Sequence, residues 1–159
     1  MIYRASNIVF LDIDGVVNNL YIDESLDPKY FSESDGKVSN EQAVRWLNKL
    51  CLEADAHIVI TSTWRHAGLE ICRECLYNSG LDRRIHIIDA TPTFWGKERG
   101  YEIKQWLKSH PEVEKFVILD DDTDMKPYMD RLVKCDSTKG FLAEEYFKAL
   151  DLLTSYKKV

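Results

Sequence analysis

The sequence predicts an α/β domain built on a mostly parallel, five-stranded sheet with helices on both faces. Two observations carry this prediction. Short runs of β-branched and other apolar residues alternate with longer stretches whose apolar residues recur at helical spacing. The strand runs are apolar almost throughout, which is typical of strands covered on both faces. Such alternation favours parallel strands joined by right-handed crossover connections.

Five segments have the composition of buried strands, and the last has it more weakly than the others. They are Ile8–Leu11, Ile58–Ile60, Ile85–Ile88, Phe116–Leu119 and Leu132–Cys135. Four stretches between and after them have the helical pattern, namely Ser39–Ala54, His66–Asn78, Arg99–Ser109 and Ala143–Tyr156. Ser39 followed by Gln42 resembles a capping box, and Gly80 and Pro111 stand where the second and third helices should end.

Length and composition indicate one globular domain over residues 1–159. Apolar residues make up 45% and charged residues 30% of the chain, and no apolar run reaches the roughly 18 residues of a membrane span. The first apolar run ends before two carboxylates, which excludes a signal peptide, so we expect a cytoplasmic protein with reduced cysteines. The net charge of −6 argues against a general nucleic-acid surface but leaves room for a local basic patch.

One segment departs from the alternation of strands and helices. Residues 18–38 follow the first strand and contain five acidic residues, three aromatic residues and Pro28. A loop this long in a compact domain is usually functional or disordered. We interpret it as a small flap over the carboxyl end of the first strand, with a solvated loop as the alternative. The stretch between Arg65 and Lys97 holds only a helix and a strand, so no large cap is expected there.

Chemically active residues follow three of the predicted strands. The strands are followed by Asp12 and Asp14, by Thr61 and Ser62, and by Asp120 and Asp121, while Lys97 and Arg99 precede the third helix. In an open parallel sheet, ligands bind outside the carboxyl ends of the strands. We therefore expect acids, hydroxyls and a cation to converge on one edge of the sheet.

The clustered acids predict a divalent cation. Carboxylates this close raise one another's pKa unless a cation neutralises them. Oxygen ligands of this kind suit Mg²⁺ best. Neither acidic stretch is a calcium loop, because Gly15 comes too early after Asp12 and Met125 occupies the glycine position in the run from Asp120.

These motifs resemble those of the haloacid dehalogenase (HAD) superfamily of aspartate-nucleophile phosphohydrolases. The matching segments are Phe10–Val16, Ile58–Ser62, a cation at Lys97 or Arg99, and Val117–Asp121, in family order within residues 8–124. A finer similarity, to HAD domains of multi-domain RNA repair proteins, rests on Ser62–Arg65, Thr91–Pro92, Arg99–Ile103 and Lys139–Phe141. The resemblance implies a Rossmann-like HAD domain and phosphatase activity.

The resemblance also implies a role for each site residue. Asp12 would be the nucleophile that forms an aspartyl-phosphate, and Asp14 the general acid and base. Mg²⁺ would be held by Asp12, the backbone carbonyl of Asp14 and Asp121, with Asp120 orienting the site or reaching the metal through water. Thr61 would hold a phosphoryl oxygen, helped by the backbone N–H of Ser62. Arg99 is the first choice for the cation and Lys97 the alternative.

The expected substrate is a phosphate ester on a nucleotide, a polynucleotide end or another molecule. Trp64 and Arg65 could form a stacking and cationic platform for its leaving group, or could simply be a core tryptophan and a helix arginine. A phosphate-binding scaffold protein without turnover is the alternative function. A receiver-like signalling domain is a third, but its acids occur in a different order along the chain. Phosphate release with and without Mg²⁺ separates the phosphatase from the scaffold.

Overall fold

The strands and helices form in the order that the sequence predicts. The computed structural model describes residues 5–19 and 36–155. Over these ranges the strands are β1 Asn7–Leu11, β2 Ala56–Ile60, β3 Ile87–Ala90, β4 Lys115–Asp120 and β5 Leu132–Lys134. The α-helices are α1 Glu41–Ala54, α2 Leu69–Asn78, α3 Arg99–Lys108 and α4 Ala143–Thr154, and two short 3₁₀ helices cover Thr63–Ala67 and Met129–Arg131.

The five strands form one open, parallel sheet in the order β3-β2-β1-β4-β5. This confirms the predicted parallel α/β architecture. The central strand β1 pairs with β2 on one side and with β4 on the other, so the strand order reverses at β1. Leu11 lies opposite both Ile60 and Leu119. The residues that follow these three strands therefore begin at the same level of the sheet edge.

Helices cover both faces of the sheet, as predicted. Alternate residues of β1 point to opposite faces, because side chains alternate along a strand. Val9 and Leu11 belong to the larger core, to which α1, α2 and α4 contribute their buried residues. Ile8 and Phe10 belong to a smaller core on the other face, where Ile103 and Trp106 of α3 pack. The two cores fix β1 from both sides and so fix the position of its carboxyl end.

Several predicted element ends are wrong. The capping box at Ser39 does not form, because Asn40 is the N-cap of α1 and its side chain accepts a hydrogen bond from Ala43 N. Ser39 Oγ instead accepts from the backbone N–H of Asn19. The predicted second helix is divided at Gly68, whose φ of +108° separates the first 3₁₀ helix from α2.

The third strand is displaced by two residues from its predicted start, because Ile85 closes a turn with the carbonyl of Asp82 before β3 begins. Most of the predicted flap, residues 20–35, lies outside the described residues, and the flap stays a prediction. Between Arg65 and Lys97 the chain forms the end of a 3₁₀ helix, α2 and β3, without a further domain. In the described ranges, no helix combines the length and apolarity needed to cross a bilayer.

Candidate active site

Three carboxylates meet at the carboxyl ends of β1 and β4. Asp12 follows β1 directly, Asp120 ends β4, and Asp121 comes next. The pairing of the two strands continues past β1, since Asp12 N donates to Leu119 O over 3.0 Å. One carboxylate oxygen from each acid lies within 4.8 Å of the other two. Asp12 and Asp120 are buried and Asp121 is half-buried, so this acidic centre, Asp12 with Asp120 and Asp121, is largely shielded from solvent.

Gly15 allows the turn after β1 to approach Asp121. Its φ is +83°, a conformation that other residues adopt only with strain. A Cβ atom built on Gly15 would lie 2.3 Å from Asp121 Oδ2, closer than any real contact. The glycine of the first motif is therefore required both by the backbone turn and by the packing of that turn against the acidic centre.

The late Lys139-Gly140-Phe141 segment packs against the same turn. Phe141 N donates to Val16 O over 2.8 Å, and the carbonyl of Lys139 accepts from Asn40 Nδ2 over 3.0 Å. A Cβ atom on Gly140 would lie 2.6 Å from Val16 O. The segment therefore packs closely against the backbone of the first motif, and this close approach is a structural reason for the glycine at position 140.

Arg99 is the cation that reaches the acidic centre. Its Nη1 lies 3.0 Å from Asp120 Oδ2 and 3.3 Å from Asp12 Oδ1. Lys97, the alternative, is exposed, and its Nζ lies 5.3 Å from the ring centroid of Tyr101. Both residues precede Gly100, but only the first residue of α3 points into the site. The geometry thus favours Arg99 for the role of the third-motif cation.

The start of α3 is fixed by the loop after β4, which sets the position of Arg99. Asp124 accepts hydrogen bonds from Arg99 N at its carboxylate over 3.3 Å and from Gly100 N at its carbonyl over 2.9 Å. A Cβ atom on Gly100 would lie 2.3 Å from Lys126 O, so only glycine permits this approach. Asp124 is a positioning residue that sequence reasoning missed. It belongs to the acidic run after β4, and that run was the one available signal.

The acidic centre carries more negative charge than Arg99 alone can offset. Burial and the neighbouring carboxylate of Asp120 raise the pKa of Asp12 to about 8, although Arg99 acts to lower it. Burial likewise raises the pKa of Asp120 to about 6. A second cation at this point would favour the ionised carboxylates. Three oxygen donors this close together fit a hard divalent ion such as Mg²⁺.

The carboxylate of Asp14 is held apart from the acidic centre by two neutral donors. Asn18 Nδ2 donates to one of its oxygens over 2.9 Å, and Trp64 Nε1 donates to the other over 3.1 Å. The side chain is half-buried and is not one of the three clustered carboxylates. Two fixed donors give this carboxylate a defined orientation, which a group that exchanges a proton with substrate requires.

Thr61 places a buried hydroxyl at the same edge of the sheet as the acidic centre. Its backbone N–H donates to Leu11 O over 2.9 Å, which continues the pairing of β2 with β1. Its Oγ1 is buried and has no hydrogen-bond partner among the described residues. Such a group costs about 1–3 kcal/mol, and a bound oxygen ligand would remove that cost. The hydroxyl of the next residue, Ser62, is occupied, since it accepts from Trp64 N over 3.2 Å.

The structure gives Arg65 a buried, internal set of partners. Its guanidinium donates to Glu102 Oε1 over 2.9 Å and to the carbonyl of Ser62 over 3.0 Å, and it also contacts the carbonyl of Thr61. The side chains of this ion pair are only 6% and 8% exposed. Arg65 is therefore directed inward, which agrees with the alternative of a helix arginine, while the half-buried Trp64 donates its indole N–H to Asp14. A substrate platform formed by these two residues stays a prediction.

The site geometry agrees with the comparison to known protein families. A family model described as a HAD domain in Swiss Army Knife RNA repair proteins matches residues 8–146. The match runs from β1 into the first turn of α4 and includes the whole acidic centre. No curated protein and no solved structure was found to match the chain.

Proposed function

Since the chain belongs to the HAD domains found in Swiss Army Knife RNA repair proteins, we propose that it is a Mg²⁺-dependent phosphatase. Its proposed substrate is a phosphate monoester on a nucleotide or at a polynucleotide end. The observation that carries the proposal is the convergence of Asp12, Asp120 and Asp121 within 4.8 Å. Arg99 lies among these acids and the unpartnered hydroxyl of Thr61 lies on the neighbouring strand.

The acidic centre has the donor set that Mg²⁺ prefers. We propose that Asp12, Asp121 and the backbone carbonyl of Asp14 hold the metal, and that Asp120 orients the site. The raised pKa values of Asp12 and Asp120 support this, because the carboxylates need a cation to be ionised together. When bound, Mg²⁺ screens the anionic nucleophile from the anionic substrate and polarises the phosphoryl oxygens.

The first chemical step assigns different roles to two neighbouring carboxyl groups. A carboxylate oxygen of Asp12 attacks phosphorus, and the bond from phosphorus to the ester oxygen breaks. The departing oxygen takes a proton from the carboxyl group of Asp14, so the alcohol leaves neutral. Asn18 and Trp64 hold Asp14 toward the leaving group through this transfer.

The second step restores the enzyme. A water molecule attacks phosphorus of the aspartyl-phosphate, and Asp14, now ionised, accepts its proton. The bond from phosphorus to the Asp12 oxygen breaks, which releases inorganic phosphate and regenerates the carboxylate. Throughout both steps the Thr61 hydroxyl donates to a phosphoryl oxygen, and Arg99 offsets charge that develops on the transferring group.

A phosphate-release assay tests the proposal directly. The substrates are p-nitrophenyl phosphate, nucleoside 3′- and 5′-monophosphates, and oligonucleotides phosphorylated at either end, each with Mg²⁺ or with EDTA. We expect Mg²⁺-dependent hydrolysis that is lost in Asp12→Asn and Asp14→Asn. Absence of phosphate release from every ester, with Mg²⁺ present, would overturn the proposal and favour a phosphate-binding scaffold.

A further inference from the structure

Trp95 is the most exposed large apolar side chain of the described residues. It is 89% exposed, compared with 64% for Phe147 and less for the others. It lies in residues 91–98, the loop that leaves the carboxyl end of β3 and enters α3 at Arg99. Because Arg99 contacts the acidic centre, this exposed indole lies on the same edge of the sheet as the reactive groups. At this edge of the sheet the exposed indole face is accessible to a ligand bound at the acidic centre.

The backbone beneath Trp95 is fixed. Phe94 N donates to Glu102 Oε2 over 2.9 Å, and Lys97 N donates to Phe94 O over 3.1 Å, which closes a turn around Trp95. The hydroxyl of Thr93 lies 3.0 Å from His66 Nε2, which joins the loop to the first 3₁₀ helix. Trp95 is therefore an exposed side chain on a braced turn, an arrangement that holds a flat surface ready for a ligand.

A buried ion pair connects this turn to Thr61 and Ser62, which follow β2. Glu102 binds Phe94 N with one carboxylate oxygen and Arg65 with the other. Arg65 in turn binds the carbonyl groups of Thr61 and Ser62. Buried ion pairs add little stability because desolvation offsets their attraction. Here the pair has a geometric consequence, since it sets the distance between the Trp95 turn and the hydroxyl proposed to bind phosphate.

Distance and charge match a nucleotide. Trp95 is four residues before Arg99, so the chain between them spans at most about 14 Å, and the turn shortens it. Lys97, exposed and two residues after Trp95, places a cation in the same loop, with its Nζ 5.3 Å from the ring centroid of Tyr101. An aromatic face and a cation in the loop that leads into a phosphoryl site are the groups that bind a stacked base and its backbone phosphate.

We propose that Trp95 is a stacking platform for the base of the terminal nucleotide of a single-stranded polynucleotide whose end phosphate enters the acidic centre. The inference rests on the proposed phosphatase function and adds the part of the substrate that is recognised. Stacking on an indole face accepts every base, so recognition is tolerant of sequence. The net charge of −6 opposes a longer bound track, so only the end of the strand is held.

The test compares esters that differ in whether a base is present. Trp95→Ala is assayed on an end-phosphorylated oligonucleotide, on the same oligonucleotide with an abasic terminal sugar, and on p-nitrophenyl phosphate. We expect KM for the normal oligonucleotide to rise roughly tenfold or more, and to rise far less for the other two substrates. Trp95→Phe should retain most of the affinity. Phe147→Ala, which removes an exposed aromatic side chain from α4, is the matched control and should change none of the three.

A binding measurement separates this inference from the proposed function. Indole fluorescence is titrated with the oligonucleotide in Asp12→Asn, which does not turn over, and in the double variant with Trp95→Phe. Quenching that needs Trp95 and the terminal base supports the platform.

If wild-type protein hydrolyses p-nitrophenyl phosphate but Trp95→Ala leaves oligonucleotide KM unchanged, the platform is wrong and the phosphatase stands. If no ester is hydrolysed, the phosphatase fails and quenching alone decides the platform. Equal quenching by a phosphotyrosine peptide would also overturn it.

Discussion

The acidic centre and the Trp95 turn lie on the same edge of the sheet, but the protein fixes them in opposite ways. In the acidic centre the side chains are buried or half-buried, and Arg99 contacts both Asp12 and Asp120. In the turn the backbone is held from below by Glu102, and the side chain of Trp95 is left in solvent. A reaction needs charges at set distances, whereas recognition of a flat ligand needs an open surface on a rigid support.

The two regions also differ in what they cost the fold. Burial and mutual repulsion raise the pKa of Asp12 to about 8, so the acidic centre opposes its own ionisation until a cation binds. The Trp95 turn has no like-charge repulsion of this kind, because its buried ion pair is matched in charge, although burial lowers the pKa of Arg65. Changes in the acidic centre should therefore alter chemistry, metal affinity and pH dependence. Changes in the turn should alter the affinity for one class of substrate.

The largest expected effect comes from Asp12→Asn. The amide keeps the shape of the side chain but is not a nucleophile, so turnover should fall by about 10⁴-fold or more. Substrate affinity should persist, since the groups around the phosphate are unchanged. Phosphate release and thermal melting measure the two properties in one preparation. Activity close to wild type would show that Asp12 is not the nucleophile. The acidic centre would then no longer differ from the Trp95 turn as the region that performs the chemistry.

Trp64→Phe tests whether the indole that contacts Asp14 serves chemistry or only packing. It removes one hydrogen bond to the carboxylate and keeps most of the apolar contact. We expect kcat to fall roughly 10- to 100-fold for esters with poor leaving groups, and less for p-nitrophenyl phosphate, since a good leaving group needs little protonation. The pH profile of kcat should also shift.

Trp106→Phe is the control for this variant. Trp106 also donates its indole N–H to a carboxylate, that of Asp89, over 2.7 Å, but on the other side of the sheet. A loss caused only by weaker packing would appear in both variants and would not depend on the leaving group. Equal losses in both, with unchanged pH profiles, would show that Trp64 is a packing residue.

Asp121→Ala should weaken Mg²⁺ binding by at least about tenfold. It removes one of the three clustered carboxylates and leaves Asp12 in place. Without metal, the variant should melt at the same temperature as wild type or higher, because one repelling charge is gone. The dependence of activity and of melting temperature on Mg²⁺ concentration measures both effects. Unchanged Mg²⁺ dependence would mean that Asp121 is not a ligand.

These two regions also show what the sequence could predict and what it could not. The acidic centre was predictable, because the ends of parallel strands meet at one edge and the acids follow apolar runs directly. The sequence left two roles open for Trp64 and Arg65, a substrate platform or internal packing, and it could not decide between them for a physical reason. The burial of Arg65 depends on Glu102, 37 residues away, and no local pattern reveals that partner. Arg99 was the first choice and Lys97 the alternative, and only the first turn of α3 decides which of the two side chains points inward.

The smallest expected effect is on stability, and it links the acidic centre to pH. Because the pKa of Asp12 is raised from 3.8 to about 8, the folded metal-free protein holds a proton that the unfolded chain has released between these values. This contribution of Asp12 to the free energy of unfolding is complete below about pH 3.8, and it is lost as the pH rises through the folded pKa of about 8. Between pH 7 and pH 8 the loss is about 1 kcal/mol, or about 2–4 °C in melting temperature.

Melting at pH 7 and pH 8, with and without Mg²⁺, measures this loss. Groups whose pKa is lowered by folding, such as Asp82 and His57, titrate mainly below this window and oppose the trend only slightly. Mg²⁺ competes with the proton, so it should raise the melting temperature more at pH 8 than at pH 7. Asp12→Asn should flatten the metal-free slope, while Trp95→Ala should leave it as in wild type. If the melting temperature of metal-free Asp12→Asn depends on pH as strongly as that of wild type, the titrating group is not Asp12.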